Sequence, residues 1–263
     1  MRIFIGFLLT ALSFTVFASG IDPEALALLD KMEKVYDPSG KGKEVKSKIV
    51  EMEMMIPGQN IKMNLTQYYK VPFNLKIKTR LPGIMEMENG FDGKTAWEYN
   101  KAMGGRELTG KELDSFKFGA VLENPSLKLQ DICSDIKFDK NGGKVDGVEC
   151  VKLICTPKPE YNTAAFSVWI SPNDSLMRKM EMTSVTQMGE VPSVTIYRDI
   201  RKKNDILVPC EQEVTMMNVS MKSIITKIEF NKEISDSEFK MPEGAPVTPT
   251  VPAPDAAGKN SAK

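Results

Sequence analysis

The chain has 263 residues, 35 Lys and Arg set against 35 Asp and Glu, and no histidine. Balanced charge without a long basic run excludes the footprint of a nucleic-acid binder. The missing imidazole removes Ser-His and Cys-His acyl-transfer pairs and, with no Cys-x-x-Cys, leaves no metal set. No Gly-x-Ser-x-Gly, phosphate loop or dinucleotide fingerprint points to an enzyme or a cofactor.

Residues 1–20 carry an early positive charge (Arg2), an apolar run over 3–17 and the small residues Ala18-Ser19-Gly20. This is the pattern of a secretory signal peptide cleaved after Ala18 or Gly20. The run is short of the roughly 20 apolar residues of a membrane span. The expectation is an exported, periplasmic protein of about 240 residues, compatible with one large β-rich domain. In an exported chain the cysteines Cys133, Cys150, Cys155 and Cys210 are disulfide candidates. Cys150 and Cys155 are five apart on one predicted strand, face opposite sides and do not pair with each other. The sequence leaves the partners of each open.

Asp22-Pro23 opens a helix, Asp as N-cap and Pro at the first helical position, with Leu26, Leu29, Met32, Val35 and Tyr36 forming its apolar stripe. Three strand-like runs follow. Val50, Met52 and Met54 alternate with Glu51 and Glu53; Ile61, Met63, Leu65 and Tyr69 alternate with Lys62, Asn64 and Lys70; Phe73, Leu75, Ile77 and Leu81 alternate with Lys76, Lys78 and Arg80. Such alternation describes an antiparallel sheet with one dry and one wet face, and the short connections describe a meander. The carboxylate pairs Glu51/Glu53 and Glu86/Glu88 then belong to a solvated outer face.

Met85 and Met87 lead to Asp92-Gly93, read as a type I′ turn, and Thr95, Trp97 and Tyr99 share one face of the returning strand. Thr109-x-x-Glu112 reads as a capping box before a short helix, and a helical turn is expected over 125–129. Strands resume over 132–138, 148–156, 165–170, 176–187, 194–200, 207–218 and 223–231. A last turn tucks in Phe239, and 243–263, rich in Pro, Ala, Lys and Gly, is expected to be disordered. The fold class is mainly β: one domain over 21–242, a single strongly curved antiparallel sheet as an unclosed half-barrel, with two or three short helices on its concave face.

Methionine is abundant, 17 residues, many on apolar strand faces. It is flexible and polarizable, and is over-used on surfaces that take varied apolar ligands. The alternation on consecutive strands assigns Met52, Met54, Met63, Leu65, Leu75, Ile77, Met85, Met87 and Trp97 to one apolar cavity face.

The segment Phe91-Asp92-Gly93-Lys94-Thr95-Ala96-Trp97-Glu98-Tyr99-Asn100 resembles the Asp-Gly-Lys-Thr-x-Trp-x-Tyr-Asn segment of the periplasmic outer-membrane lipoprotein-sorting family (LolA/LolB-like). Val145-Asp146-Gly147-Val148-Glu149-Cys150, Val168-Trp169-Ile170-Ser171-Pro172 with Leu176-Met177-Arg178-Lys179, and the stretch 234–242 fit its wider superfamily in the same order. The resemblance implies an unclosed barrel with helices as a lid around a cavity for acyl chains. It further implies a non-catalytic, monomeric carrier of lipids or lipoprotein acyl chains that moves them between membranes, with a transporter or receptor in the membrane as partner. An envelope sensor or interaction module with the same cavity is the alternative. Where the carrier family has an Arg before the Pro that follows strand two, and then an aromatic, this chain has Val71 and Leu75.

Overall fold

A computed structural model describes residues 20–59 and 61–242. The expected signal peptide, apart from Gly20, and the expected tail over 243–263 lie outside the described residues. Helix α1 (Pro23–Tyr36) is followed by six strands: β1 (Ser47–Ile56), β2 (Ile61–Lys70), β3 (Asn74–Leu81), β4 (Met85–Phe91), β5 (Ala96–Asn100) and β6 (Gly104–Glu107). Helices α2 (Gly110–Leu122) and α3 (Leu129–Ile132) come next. The second half holds β7 (Cys133–Asp139), a small hairpin of β8 (Lys144–Val145) and β9 (Val148–Glu149), then β10 (Val151–Pro157) and β11 (Phe166–Ile170). It ends with β12 (Met177–Thr186), β13 (Gly189–Lys203), β14 (Ile206–Met216) and β15 (Val219–Phe230).

All strands except β8 and β9 belong to one 13-stranded antiparallel sheet, ordered β6-β5-β4-β3-β2-β1-β15-β14-β13-β12-β11-β10-β7. Its ends, β6 and β7, do not pair, so the sheet is an open half-barrel. The helices pack on the concave side, where α1, α2 and α3 close over Leu153, Cys155, Phe166, Val168 and Ile170 of β10 and β11. A smaller core lies beside it, where Leu108 and Ala120 meet Leu75, Phe91 and Ala96.

Local chemistry departs from expectation in instructive places. Asp92-Gly93 is not a type I′ turn: of the two only Gly93 has positive φ, and Asp92 Oδ1 instead accepts from the N–H groups of Lys94 and Thr95. Left-handed pairs occur instead at Asp146-Gly147, between β8 and β9, at Asn204-Asp205, between β13 and β14, and at Met217-Asn218, between β14 and β15. The expected capping box does not form: Thr109 makes no side-chain cap, and the Glu112 carboxylate binds Arg106 instead of the Thr109 N–H. Asp22 does not cap α1 either, but accepts from the N–H of Phe138 at 2.8 Å and so ties the helix start to β7. The helical turn expected over 125–129 lies at Leu129–Ile132. Strand β13 starts well before the expected 194, taking in Pro192, which lies outside the stretch of β13 paired with β14 and therefore interrupts no ladder there.

The convex side is not uniformly wet. Trp97 is 1% exposed, and its indole N–H donates to the Phe239 carbonyl at 2.8 Å. The C-terminal turn around Phe239 straps this face, with Lys76 bound to Glu88 at 2.9 Å and to Glu238 at 3.0 Å. Glu88 is buried rather than solvated, contrary to its reading as an outer-face carboxylate. Burial alone would raise its pKa, but the ammonium groups of Lys76 and Lys78 outweigh that and hold it below the ordinary 4.5.

Two predictions follow from this face. A Cβ at Gly90 would stand 2.3 Å from the Trp97 ring, so Gly90→Ala has to displace the indole from its pocket. The expected loss is about 1–3 kcal/mol, read from urea denaturation. For Glu88, a depressed folded-state pKa adds stability above the ordinary value that is lost as pH falls through the folded value. Glu88→Gln is therefore less stable than the parent at pH 7, and the gap closes as denaturation curves are taken toward pH 3.

Candidate functional site

Strand register decides where each candidate side chain goes. Met87 faces Thr79, Thr79 faces Leu65, Leu65 faces Met52 and Met52 faces Ile225. These residues form one rung across β4, β3, β2, β1 and β15, roughly 19 Å wide at the usual strand spacing. Nearer the open end, Met63 faces Met54 and Leu81 faces Met85. In the other direction Ile77 flanks Leu75, which is 4% exposed within the core under α2. Eight of the nine candidates thus share the concave face, with Leu75 packed, Ile77 at the margin and the rest half-buried beyond it.

Trp97 does not join them. It pairs with Gly90, which pairs with Lys76, and all three belong to the convex face. The hairpin alternation was right in period, but the partner strand's apolar face, Met85 and Met87, lies on the opposite side from Trp97. Trp169 is also convex, clustered with Val145, Cys150 and Ile196. Among the cysteines, Cys155 and Cys133 lie in the concave core, Cys150 lies on the outer side and Cys210 lies on β14; all four are buried thiols.

The principal helix contacts fall on β4, β5, β7, β12 and β14. The methionine rungs of β1 and β2 belong to neither packed core of the concave face. The concave face therefore has two zones, a closed one under the helices and an apolar trough beyond them.

Two features escaped the sequence. Arg106, 7% exposed, binds both carboxylate oxygens of Glu112 in the first turn of α2 at 2.8 Å and Glu98 of β5 at 2.6 Å. Its guanidinium pKa is raised by the Glu112 bonds first, against the cost of burial, and by Glu98. Glu98 also accepts from Gln187, in the turn between β12 and β13, at 3.3 Å. This network connects the lid helix, one edge of the sheet and the opposite wall of the half-barrel. Glu98 and Glu112 lie eight and six residues from Arg106 but on different elements, and Gln187 is 89 residues from Glu98, so no regular helix or strand spacing announces it. The second feature is a cavity of about 320 Å³ within the helical layer, lined among others by Leu29, Met32, Tyr36, Leu127, Leu129 and Ile206. Burial pushes the Tyr36 phenol up to about 12, and a Lys128–Glu33 ion pair spans 2.5 Å beside the cavity. Residues that look like helix stripe and loop in the sequence are what line it.

Replacing Arg106 by Met leaves two carboxylates facing each other without their cation. The expected cost is about 2–4 kcal/mol, measured by urea denaturation, with amide exchange rising first in α2 and along β5.

No family model matches the sequence, and no curated protein matches it. Solved structures do match. A DUF1329 family protein from Desulfovibrio piger aligns with TM-score 0.53 at 13% identity, over 82% of this chain and 96% of that one. An outer membrane lipoprotein-sorting protein domain from Vibrio parahaemolyticus aligns with TM-score 0.51 at 13% identity, over 80% and 94%. A LolA superfamily protein from Nitrosomonas europaea aligns with TM-score 0.51 at 12% identity, over 82% and 97%. At such identities the likeness is one of architecture: the chain has the open antiparallel half-barrel of LolA-superfamily and lipoprotein-sorting domains.

Proposed function

We propose that this protein is a non-catalytic periplasmic carrier that holds lipid or lipoprotein acyl chains against the concave face of its sheet and moves them between membranes. One observation carries the reading. No methionine among the described residues is fully buried; the closed core is built from Leu, Ile, Val, Phe, Ala and Cys. The methionines concentrate on the half-buried part of the concave face, where flexible thioethers can conform to chains of different shape. Each methylene moved from water into that trough contributes about 0.8 kcal/mol, so a dozen suffice for tight binding without a polar contact. The shared fold of lipoprotein-sorting domains supports the same reading, as does a leader with the pattern of an export signal.

The test is lipid retention and binding. Native mass spectrometry of protein purified from an envelope fraction should find a bound acyl-chain compound, and an environment-sensitive fluorescent fatty acid should bind and be displaced by unlabelled lipid. Both tryptophans face away from the trough, so intrinsic fluorescence is not the reporter to use. Met87→Glu and Leu65→Glu place a charge in the trough and should weaken binding at least tenfold, while urea midpoints change little because these positions are half-exposed already. Met32→Glu, in the cavity of the helical layer, serves as the counter-variant. Loss of binding there alone moves the site into the lid, and no retained lipid with no probe binding removes the carrier reading.

A further inference from the structure

We propose that Cys133 and Cys155 are joined by a disulfide that fastens β7, the last strand of the sheet, to β10, while Cys150 and Cys210 stay as thiols. Strands β7 and β10 are antiparallel neighbours; Cys133 faces Pro157 and Cys155, two residues before Pro157, faces Ile136, so the two cysteines are diagonal neighbours on one face. The register slips between Thr156 and Pro157, so the pairing is irregular beside the two cysteines. Both side chains belong to the core under the helices, 3% and 0% exposed, and the neighbouring Cys133 thiol, together with burial, pushes the Cys155 thiol pKa up. The two remaining thiols hydrogen-bond to nearby backbone: Cys150 donates to the Val148 carbonyl at 3.4 Å, and Cys210 to the Val208 carbonyl at 3.6 Å. The sheet itself separates Cys150 from Cys155, which lie in the clusters of its two faces.

The chemistry is thiol–disulfide exchange with a disulfide oxidant, either a protein dithiol-disulfide or oxidised glutathione. One cysteine thiolate attacks the oxidant's S–S bond, forming a mixed disulfide and releasing one thiolate. The second cysteine thiolate then attacks the mixed disulfide and expels the other. The two cysteines lose two electrons and two protons, and the oxidant is reduced to two thiols. Since both sulfurs are shut inside the folded core, the exchange takes place before β7 docks. The bond matters to the lid as well as to the sheet edge. Cys133 directly follows α3, whose Leu129 and Ile132 line the cavity in the helical layer, so the crosslink anchors that wall.

In the cell this bond rests on the export reading above, because it needs an oxidising compartment; the following experiment does not. The full chain is refolded from the denatured, reduced state in a mixture of reduced and oxidised glutathione. Free thiols are then alkylated, and the unreduced protein is digested with trypsin. Peptides 129–137 and 153–178 should be recovered as one disulfide-linked species, with 145–152 and 204–222 each carrying an alkylated cysteine. The parent melting temperature should fall by roughly 6–12 °C on adding reductant, and Cys133→Ala and Cys155→Ala should both be insensitive to it. Four alkylated cysteines, glutathione adducts on Cys133 or Cys155, a link through Cys150 or Cys210, or a parent chain indifferent to reductant overturns the proposal.

Discussion

A β-strand sends alternate side chains to opposite faces, so strands held in continuous register sort their residues into two surfaces with no freedom to compromise. Here thirteen strands share one sheet, and the rungs through Met52, Met54, Met63, Leu65, Leu75, Ile77, Met85 and Met87 are committed to the same concave side. Among the described residues, two full helices and a short third cover that side. They cover one end, over Leu75, Phe91 and Ala96 and over the β10–β11 region. The excess apolar face is a geometric consequence of strand number against helix number, and it is the face on which the proposed site lies. The Arg106 network acts within the same constraint. By binding Glu112 on α2 and Glu98 on β5 it sets where the lid ends, and hence where the trough begins.

The convex face meets the opposite problem. Trp97 follows the alternation onto the outer side, where an exposed indole would be costly, and the chain answers with a strap from its C-terminal end. Phe239 is fully buried and accepts the indole hydrogen bond, while Glu238 joins Glu88 around the Lys76 ammonium. The ion pair is nearly dry, and the same desolvation that makes it costly to break makes the position of the strap specific. A slip of β4 by one residue would send Glu88 into the concave core and Met87 outward, so the ion cluster and the methionine trough fix one register from two sides. The segment with the strongest family resemblance therefore stabilises the face opposite the proposed site.

Much of this was legible. Period-two alternation located most strands within a few residues, because that signal comes from burial and burial is what the sheet decides. For the same reason the register brings eight of the nine candidates to one face of the sheet. Trp97 was assigned wrongly because alternation along one strand gives its two faces but not which of them matches the neighbour's; that needs the pairing Gly90 to Trp97. The turn at Asp92-Gly93 and the box at Thr109 and Glu112 failed differently. At Asp92 the side chain accepts from the Lys94 and Thr95 N–H groups and the backbone does not take the left-handed conformation expected of it, while Glu112, expected to cap its helix, binds the charged Arg106. The lid cavity was invisible because it is made by the spacing between helices, which no single helix records.

Methionine shows how composition acquires meaning only once burial is known. Seventeen methionines in a sequence are equally consistent with a core that uses Met as filler. In that case some would sit at the centre of the packed clusters, beside Leu153 or Phe118, where a flexible side chain fills an irregular gap. None does. Met177, Met180 and Met182 touch the core from its margin, and Met52, Met54, Met63, Met85 and Met87 line the uncovered rungs. Branched and aromatic residues, with few rotamers to lose, occupy positions of fixed shape. Thioethers, with three rotatable bonds, occupy the half-buried positions at the margin of those cores and beyond it. A trough that had only to be solvated would tolerate charges, as the alternating Glu and Lys on the other face show. Retaining long apolar side chains there carries a solvation cost in the empty protein, and binding an apolar partner is what would offset it.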